Sequence, residues 1–153
     1  MKQVIVMRGL PGAGKSWVAK GLKEKGAVVV STDDFWLTPG GEWVFDFTRL
    51  QEAHADCWRR FWEAVGAGVQ LVVVDNTNPT SAEMAPYVLP AQARGYAVRI
   101  LNVKAHFEVC MARQTHGVPE RNMRYMADEL EDPKSLVPWH RALCEDHNAG
   151  WVL

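Results

Sequence analysis

Gly9-Leu10-Pro11-Gly12-Ala13-Gly14-Lys15-Ser16 follows the apolar stretch Val4-Ile5-Val6-Met7 and runs into a helix-like segment. These eight residues fit G-x-x-x-x-G-K-[ST], a loop that joins a strand to a helix and wraps a polyphosphate in backbone N–H groups. Glycine suits such a loop because it tolerates positive φ and puts no side chain between backbone and ligand. Lys15 would reach the β- and γ-phosphates, and the Ser16 hydroxyl would bind Mg²⁺. The expected ligand is ATP or another nucleoside triphosphate with Mg²⁺. Gly9, Pro11, Gly12, Ala13, Gly14, Lys15, Ser16 and Trp17 are the residues expected around it.

Strand and helix signals alternate outward from this loop. Strands are expected over 3–8, 27–31, 69–74 and 96–103, and helices over 15–25, 48–65, 78–93, 105–114 and 119–130. Ala27-Val28-Val29-Val30-Ser31 reads as a strand covered on both faces. From Thr48, the residues Leu50, Ala53, His54, Cys57, Trp58, Phe61, Trp62 and Val65 recur at helical spacing, so Trp58, Phe61 and Trp62 are expected in the core. His54 shares that stripe and reads equally as a core histidine or a substrate contact. Pro86 predicts a kink or break in its helix. Met123, Met126 and Leu130 read as core packing. A short helix near 139–147 and a final strand at Trp151-Val152-Leu153 complete the pattern. The alternation implies a three-layer α/β/α P-loop NTPase fold, a parallel sheet with helices on both faces and a helical lid over 105–130.

A length of 153 residues with 48% hydrophobic content fits one domain, 1–153, around one core. A formal net charge of −1 supplies no global field toward nucleic acid or an anionic membrane, although a local basic groove is compatible with it. Cys57, Cys110 and Cys144 are widely spaced and outside any C-x-x-C, which favours small buried hydrophobes over a disulfide or zinc scaffold. With no secretory signal pattern and no bilayer-length apolar run, the expectation is a soluble cytoplasmic protein with no membrane partner.

In a parallel α/β sheet, ligands sit at the carboxyl ends of the strands. The second strand delivers Ser31-Thr32-Asp33-Asp34 there, and the third delivers Asp75-Asn76-Thr77-Asn78. Adjacent carboxylates cannot both point into one site; Asp33 is the favoured general base, and Asp34 a substrate contact. Asp75 ends the run Leu71-Val72-Val73-Val74-Asp75 and would hold Mg²⁺ through water or position the acceptor. Asn76, Thr77 and Asn78 add polar groups for the acceptor, while Asn78 is equally a helix cap. Arg113, Arg121 and Arg124 flank His116-Gly117-Val118-Pro119, which reads as a lid hinge. Arg113 and Arg121 are candidate phosphate ligands, and a solvated basic face is the alternative for Arg121 and Arg124. Phe35, Trp36 and Trp43 would stack on a base or sugar, or fold back as a local plug.

Taken together, R-G-L-P-G-A-G-K-S at 8–16, S-T-D-D-F at 31–35, E-A-H at 52–54, V-D-N-T-N at 74–78 and H-G-V at 116–118 resemble the kinase module of the polynucleotide kinase family, in particular its Nedd4-binding-protein type. The resemblance covers about residues 3–130. It implies transfer of an NTP γ-phosphate to the 5′-hydroxyl of a DNA or RNA end, with Asp33 as base, Asp75 organising the acceptor side and Arg113 as a lid arginine. Where the bacteriophage members carry an arginine after the Asp-Asp-aromatic group, this chain has Trp36. His116 stands near the place of a second lid arginine, for which Arg121 is a possible substitute. A small-molecule or nucleotide kinase, and a non-catalytic nucleotide-binding module, are the alternatives.

Overall fold

The computed structural model describes residues 1–147. Within them, β1 (Gln3–Arg8), β2 (Val28–Val30), β3 (Leu71–Asp75), β4 (Ala97–Val103) and β5 (Cys144–His147) form one parallel sheet in the order β2-β3-β1-β4-β5. β1 lies at its centre, which is why Val4, Ile5, Val6 and Met7 form an unbroken apolar run: both faces are covered. On one face, α1 (Lys15–Glu24), α5 (Phe107–Arg113) and α6 (Glu120–Glu131) pack through Ala19, Cys110 and Met123 against Ile5, Met7 and Val73. On the other, α3 (Leu50–Gly66) and α4 (Ser81–Ala93) pack Cys57, Phe61, Met84 and Val88 against Val4, Val6, Val72 and Val74. Two short helices, α2 (Asp33–Trp36) and α7 (Pro138–Arg141), lie between these layers in sequence.

Helices α1, α3 and α4 return to the sheet by the same device. Gly26, Gly68 and Gly95 take positive φ just past each helix, and the next residue's N–H reaches back to Leu22, Ala64 or Ala91. This closes the last turn and aims the chain directly into the following strand.

The sequence-based expectations need correction at three places, and a fourth lies outside the described residues. β2 is an edge strand, with Val28 exposed, because no strand pairs on its far side. The segment expected to be a helix over 139–147 is α7 followed by β5, whose charged residues pair across to β4 through Arg99–Glu145 and Lys104–Asp146. That polarity hid the strand. The strand expected at Trp151-Val152-Leu153 lies outside the described residues. Finally, α4 runs unbroken through both Pro86 and Pro90. Pro90 has no N–H to give the carbonyl of Pro86, one turn earlier; the Trp58 indole Nε1 donates to that oxygen instead, at 3.0 Å.

The phosphate loop sits against β4 and α5 so closely that two glycines are sterically required. A Cβ on Gly9 would lie 2.5 Å from the Val103 carbonyl oxygen, and one on Gly12, where φ is +83°, would overlap the Cys110 carbonyl. Gly21 in α1 meets nothing within 4 Å. Urea denaturation should therefore separate the three: Gly9→Ala and Gly12→Ala lose stability, by about 1–3 kcal/mol. Gly21→Ala gains about 0.5–1 kcal/mol from helix propensity.

Candidate active site

The strand register brings the chemistry together. Met7 is opposite Asp75, and Val30 is opposite Val74, so the phosphate loop, the Ser31–Asp34 segment and the Asp75–Asn78 segment leave the sheet at one level. They floor an open cleft of about 1960 Å³, walled by the front of α3, the start of α4 and the segment 113–126.

On the donor side, Pro11, Gly12, Gly14, Lys15, Ser16 and Trp17 line the cleft, whereas Ala13 is buried and Gly9 packs beneath the loop on Val103. Gly14 holds a φ of 104° and starts α1 with its first amides directed at the loop's hollow, an anion site by construction. Lys15 is buried, and its Nζ donates to the Leu10 carbonyl at 2.8 Å. Burial pushes its ammonium below the ordinary lysine value, while Asp75 and then Asp33 pull it back. The Ser16 hydroxyl donates to Asp75 Oδ2 at 3.1 Å. Burial raises the Asp75 carboxyl, against the pull of Lys15 and Ser16. A hydroxyl and a carboxylate set side by side are hard oxygen donors, and this pair fits Mg²⁺, which takes few protein ligands beside a polyphosphate. Among the described residues no group of three or more His, Cys, Asp or Glu side chains could hold a metal by itself.

The sequence favours Asp33 over Asp34 as base by position; Arg60 supplies the physical distinction between them. Its Nη1 donates to Asp34 Oδ2 at 3.1 Å, its Nη2 to the Ser31 carbonyl at 2.7 Å, and its Nε to Asp56 Oδ2 at 3.0 Å. Asp34 also lines the cleft, but its carboxylate is thereby held by α3. Asp33 faces the cleft, where its neighbours are His116, with Nδ1 3.9 Å from Oδ1, and the Lys15 charge. Burial in the cleft raises the Asp33 carboxyl, with His116 and then Lys15 opposing. No sequence motif marks Arg60 for this task, since it sits 26 residues from its partner.

The Asp75–Asn78 segment lines the cleft and also ties the strand ends together. Asn76 Oδ1 accepts from the Thr32 amide at 2.9 Å and hydroxyl at 3.1 Å, tying the ends of β2 and β3. The Thr77 carbonyl accepts from the Gly9 amide at 3.0 Å. Asn78 is buried with φ 47°, and its amide donates to the Met7 carbonyl at 2.8 Å. It does not cap α4; Thr80 stands at that position, with Glu83 Oε2 accepting from its amide.

Several side chains sit elsewhere than periodicity placed them. The buried stripe of α3 is Ala53, Cys57, Phe61, Ala64 and Val65. His54 and Trp58 lie one residue round from it, exposed and lining the cleft, so neither is core. Trp36, at the position where the resembled family carries an arginine, is 4% exposed and packed against Phe35 and Phe45. Trp43 is pinned by stacking: its ring lies parallel to His116 with centroids 3.9 Å apart, and its buried indole N–H has no acceptor among the described residues.

Arg113 and Arg121 are exposed and line the cleft from α5 and α6. Arg124 does not line it; it pairs with Glu120 at 2.7 Å and lies over the Phe107 ring. The segment expected to be a free hinge is clamped: the Gln114 amide both donates to and accepts from the Val118 backbone, each at 2.8 Å. Among the described residues no helix is long and apolar enough to cross a membrane.

A family model described as an AAA domain matches residues 4–132. NEDD4-binding protein 2 of Homo sapiens is 32% identical over 134 residues, covering 84% of this chain and 8% of that protein. The 2′,3′-cyclic-nucleotide 3′-phosphodiesterase of Pongo abelii is 29% identical over 142 residues, covering 90% of this chain. The chain spans 31% of that relative's length. Among solved structures, a chain of the Pnkp1/Rnl/Hen1 RNA repair complex superimposes with a TM-score of 0.67 at 14% identity, covering 92% of this chain and 45% of that one. The chain belongs to the AAA domain family, with the phosphate loop and the α/β fold that its motif and strand order require.

Proposed function

We propose that this chain is a Mg²⁺-dependent kinase that moves the γ-phosphoryl group of ATP, or another nucleoside triphosphate, to the 5′-hydroxyl of a DNA or RNA end. The observation that carries the reading is the separation of two adjacent carboxylates: Arg60 takes Asp34, and Asp33 faces the phosphate loop across the cleft. Binding a nucleotide needs no such carboxylate; transferring its phosphate to a hydroxyl does.

The 5′-hydroxyl of the acceptor approaches the γ-phosphorus from the Asp33 side. Asp33 accepts the hydroxyl proton as the new O–P bond forms and the bond to the β-phosphate oxygen breaks. Lys15 and the loop amides hold the donor's β- and γ-oxygens, and Arg113, with Arg121 beside it, meets the charge from the lid. Mg²⁺, held by Ser16 and through water by Asp75, would neutralise charge on the phosphate oxygens. His116 touches the outer side of this arrangement and holds Asp33 toward its ionised form. The choice of a polynucleotide acceptor draws on the ordered motifs and on the RNA repair complex. A free nucleoside or nucleotide is the second reading, favoured by the lack of any lysine or arginine on the acceptor side of the cleft.

Labelled ATP offered with 5′-hydroxyl oligonucleotides, nucleosides and nucleotides is the direct test. Label confined to small molecules replaces this reading with the second one. Asp33→Asn should cut turnover by about 10²–10⁴-fold and leave ATP affinity nearly unchanged; full turnover in that variant removes Asp33 from the role of base. Lys15→Ala should weaken both binding and turnover. The raised Asp33 carboxyl also sets a pH signature. The base acts only when ionised, so kcat/KM should fall on the acid side at a pH above the ordinary aspartate range. His116→Gln removes the largest opposing influence and should move that limb further up, read from the pH–rate profile.

A further inference from the structure

The three cationic side chains Lys15, Arg113 and Arg121 account for every lysine and arginine lining the cleft among the described residues, and all three come from the phosphate loop and the lid. The opposite wall is aromatic, with Phe45, Phe47 and Trp58 at its surface. Two arginines flank that wall, but both are already neutralised. Arg49 grips Glu52 at 3.0 Å and lies over the Phe35 ring, and Arg60 is shared by Asp34 and Asp56.

All three rings are available, and two of them, Phe45 and Trp58, are held from behind. Phe47 is 75% exposed, Phe45 50% and Trp58 37%. Behind Phe45, the ring of Trp43 is stacked at 5.9 Å and 11°. Behind Trp58, the ring of Trp62 is stacked at 5.5 Å and 8°, with the indole nitrogen tied to Pro86. A flat ring fixed from behind loses little freedom when a second ring is laid on it. The patch is continuous with the cleft floor at Asp33, so whatever covers it reaches the reacting atoms.

We infer that the acceptor is an unpaired 5′-hydroxyl terminus whose end bases stack on Phe45, Phe47 and Trp58, with no phosphodiester of the acceptor neutralised on this side. The inference rests on the 5′-hydroxyl kinase reading and adds how the acceptor is held. Stacking tolerates any base, because each has a π face. It also needs bases that are free, so a blunt duplex end, already paired and stacked, is a poor acceptor. Acceptor binding is nearly indifferent to salt, because counterion release requires phosphates to be neutralised.

The test is steady-state kinetics of the whole chain at saturating ATP, with single-stranded and blunt-ended 5′-hydroxyl oligonucleotides, from low to high salt. Single strands should show an acceptor KM almost flat in salt; each neutralised phosphate would make KM rise with salt at a log–log slope of about +0.7. Phe47→Ala and Trp58→Ala should each raise acceptor KM by about fivefold or more, with kcat and the ATP KM close to the parent. The melting temperature should hold in Phe47→Ala and fall in Trp58→Ala, which strips the Pro86 carbonyl of its donor. Phe47→Trp should restore the acceptor KM. A steep salt slope, equal use of blunt duplexes, or unchanged acceptor KM in both alanine variants overturns the stacking inference while oligonucleotide labelling upholds the kinase reading. Failure to label any oligonucleotide overturns both.

Discussion

The parallel register of β2, β3 and β1 is the constraint on which the cleft depends. With Val30 opposite Val74 and Met7 opposite Asp75, three chain segments leave the sheet side by side. Hydrogen bonds then lock those exits together: Asn76 to Thr32, Thr77 to Gly9, and Asn78 to Met7. A slip of one residue in β3 would turn Asp75 to the other face of the sheet and unmake all three ties. Hence the V-D-N-T-N segment clasps the strand ends as well as lining the cleft.

Charge is allotted with the same economy. The buried Arg8 spans the β1 exit, the Pro79 carbonyl and Ser135, joining the sheet to the chain before α7. Arg60 fixes the β2 exit to α3 and occupies Asp34. Around the donor, burial works against the charges of Lys15, Asp75 and Asp33, while the lysine supports both carboxylates and they support it. Groups arranged this way are poised for a ligand that brings its own strong charge into a confined space.

The sequence makes the sheet and the donor loop legible because both are written in local signals: apolar runs of strand length, glycine stops, and a contiguous phosphate-loop motif. The expected strand over 3–8 coincides with β1, and the expected parallel α/β/α architecture is the one found. What could not be read was non-local. Position favours Asp33 over Asp34, but the ion pair with Arg60 that sets Asp34 apart is not written locally. Trp58 and His54 share the spacing of core residues, yet sit just off the buried stripe, where a single helical step of about 100° separates core from cleft. β5 escaped notice because its side chains answer the charges of β4 instead of an apolar core. Trp36 shows the reverse error: a loop aromatic that a ligand-based reading would expose is sealed among its neighbours.

The indole of Trp58 is oriented by an oxygen left over from a proline. Because Pro90 cannot serve the Pro86 carbonyl, α4 carries a standing acceptor on its flank, and α3 supplies the donor from across the layer. Any other residue at position 90 would bring back an amide that competes for that oxygen. Positions 58 and 90 are therefore coupled although their side chains need never touch. The shape of the cleft wall is inherited in part from a missing amide inside α4, one turn beyond Pro86, which lines the cleft.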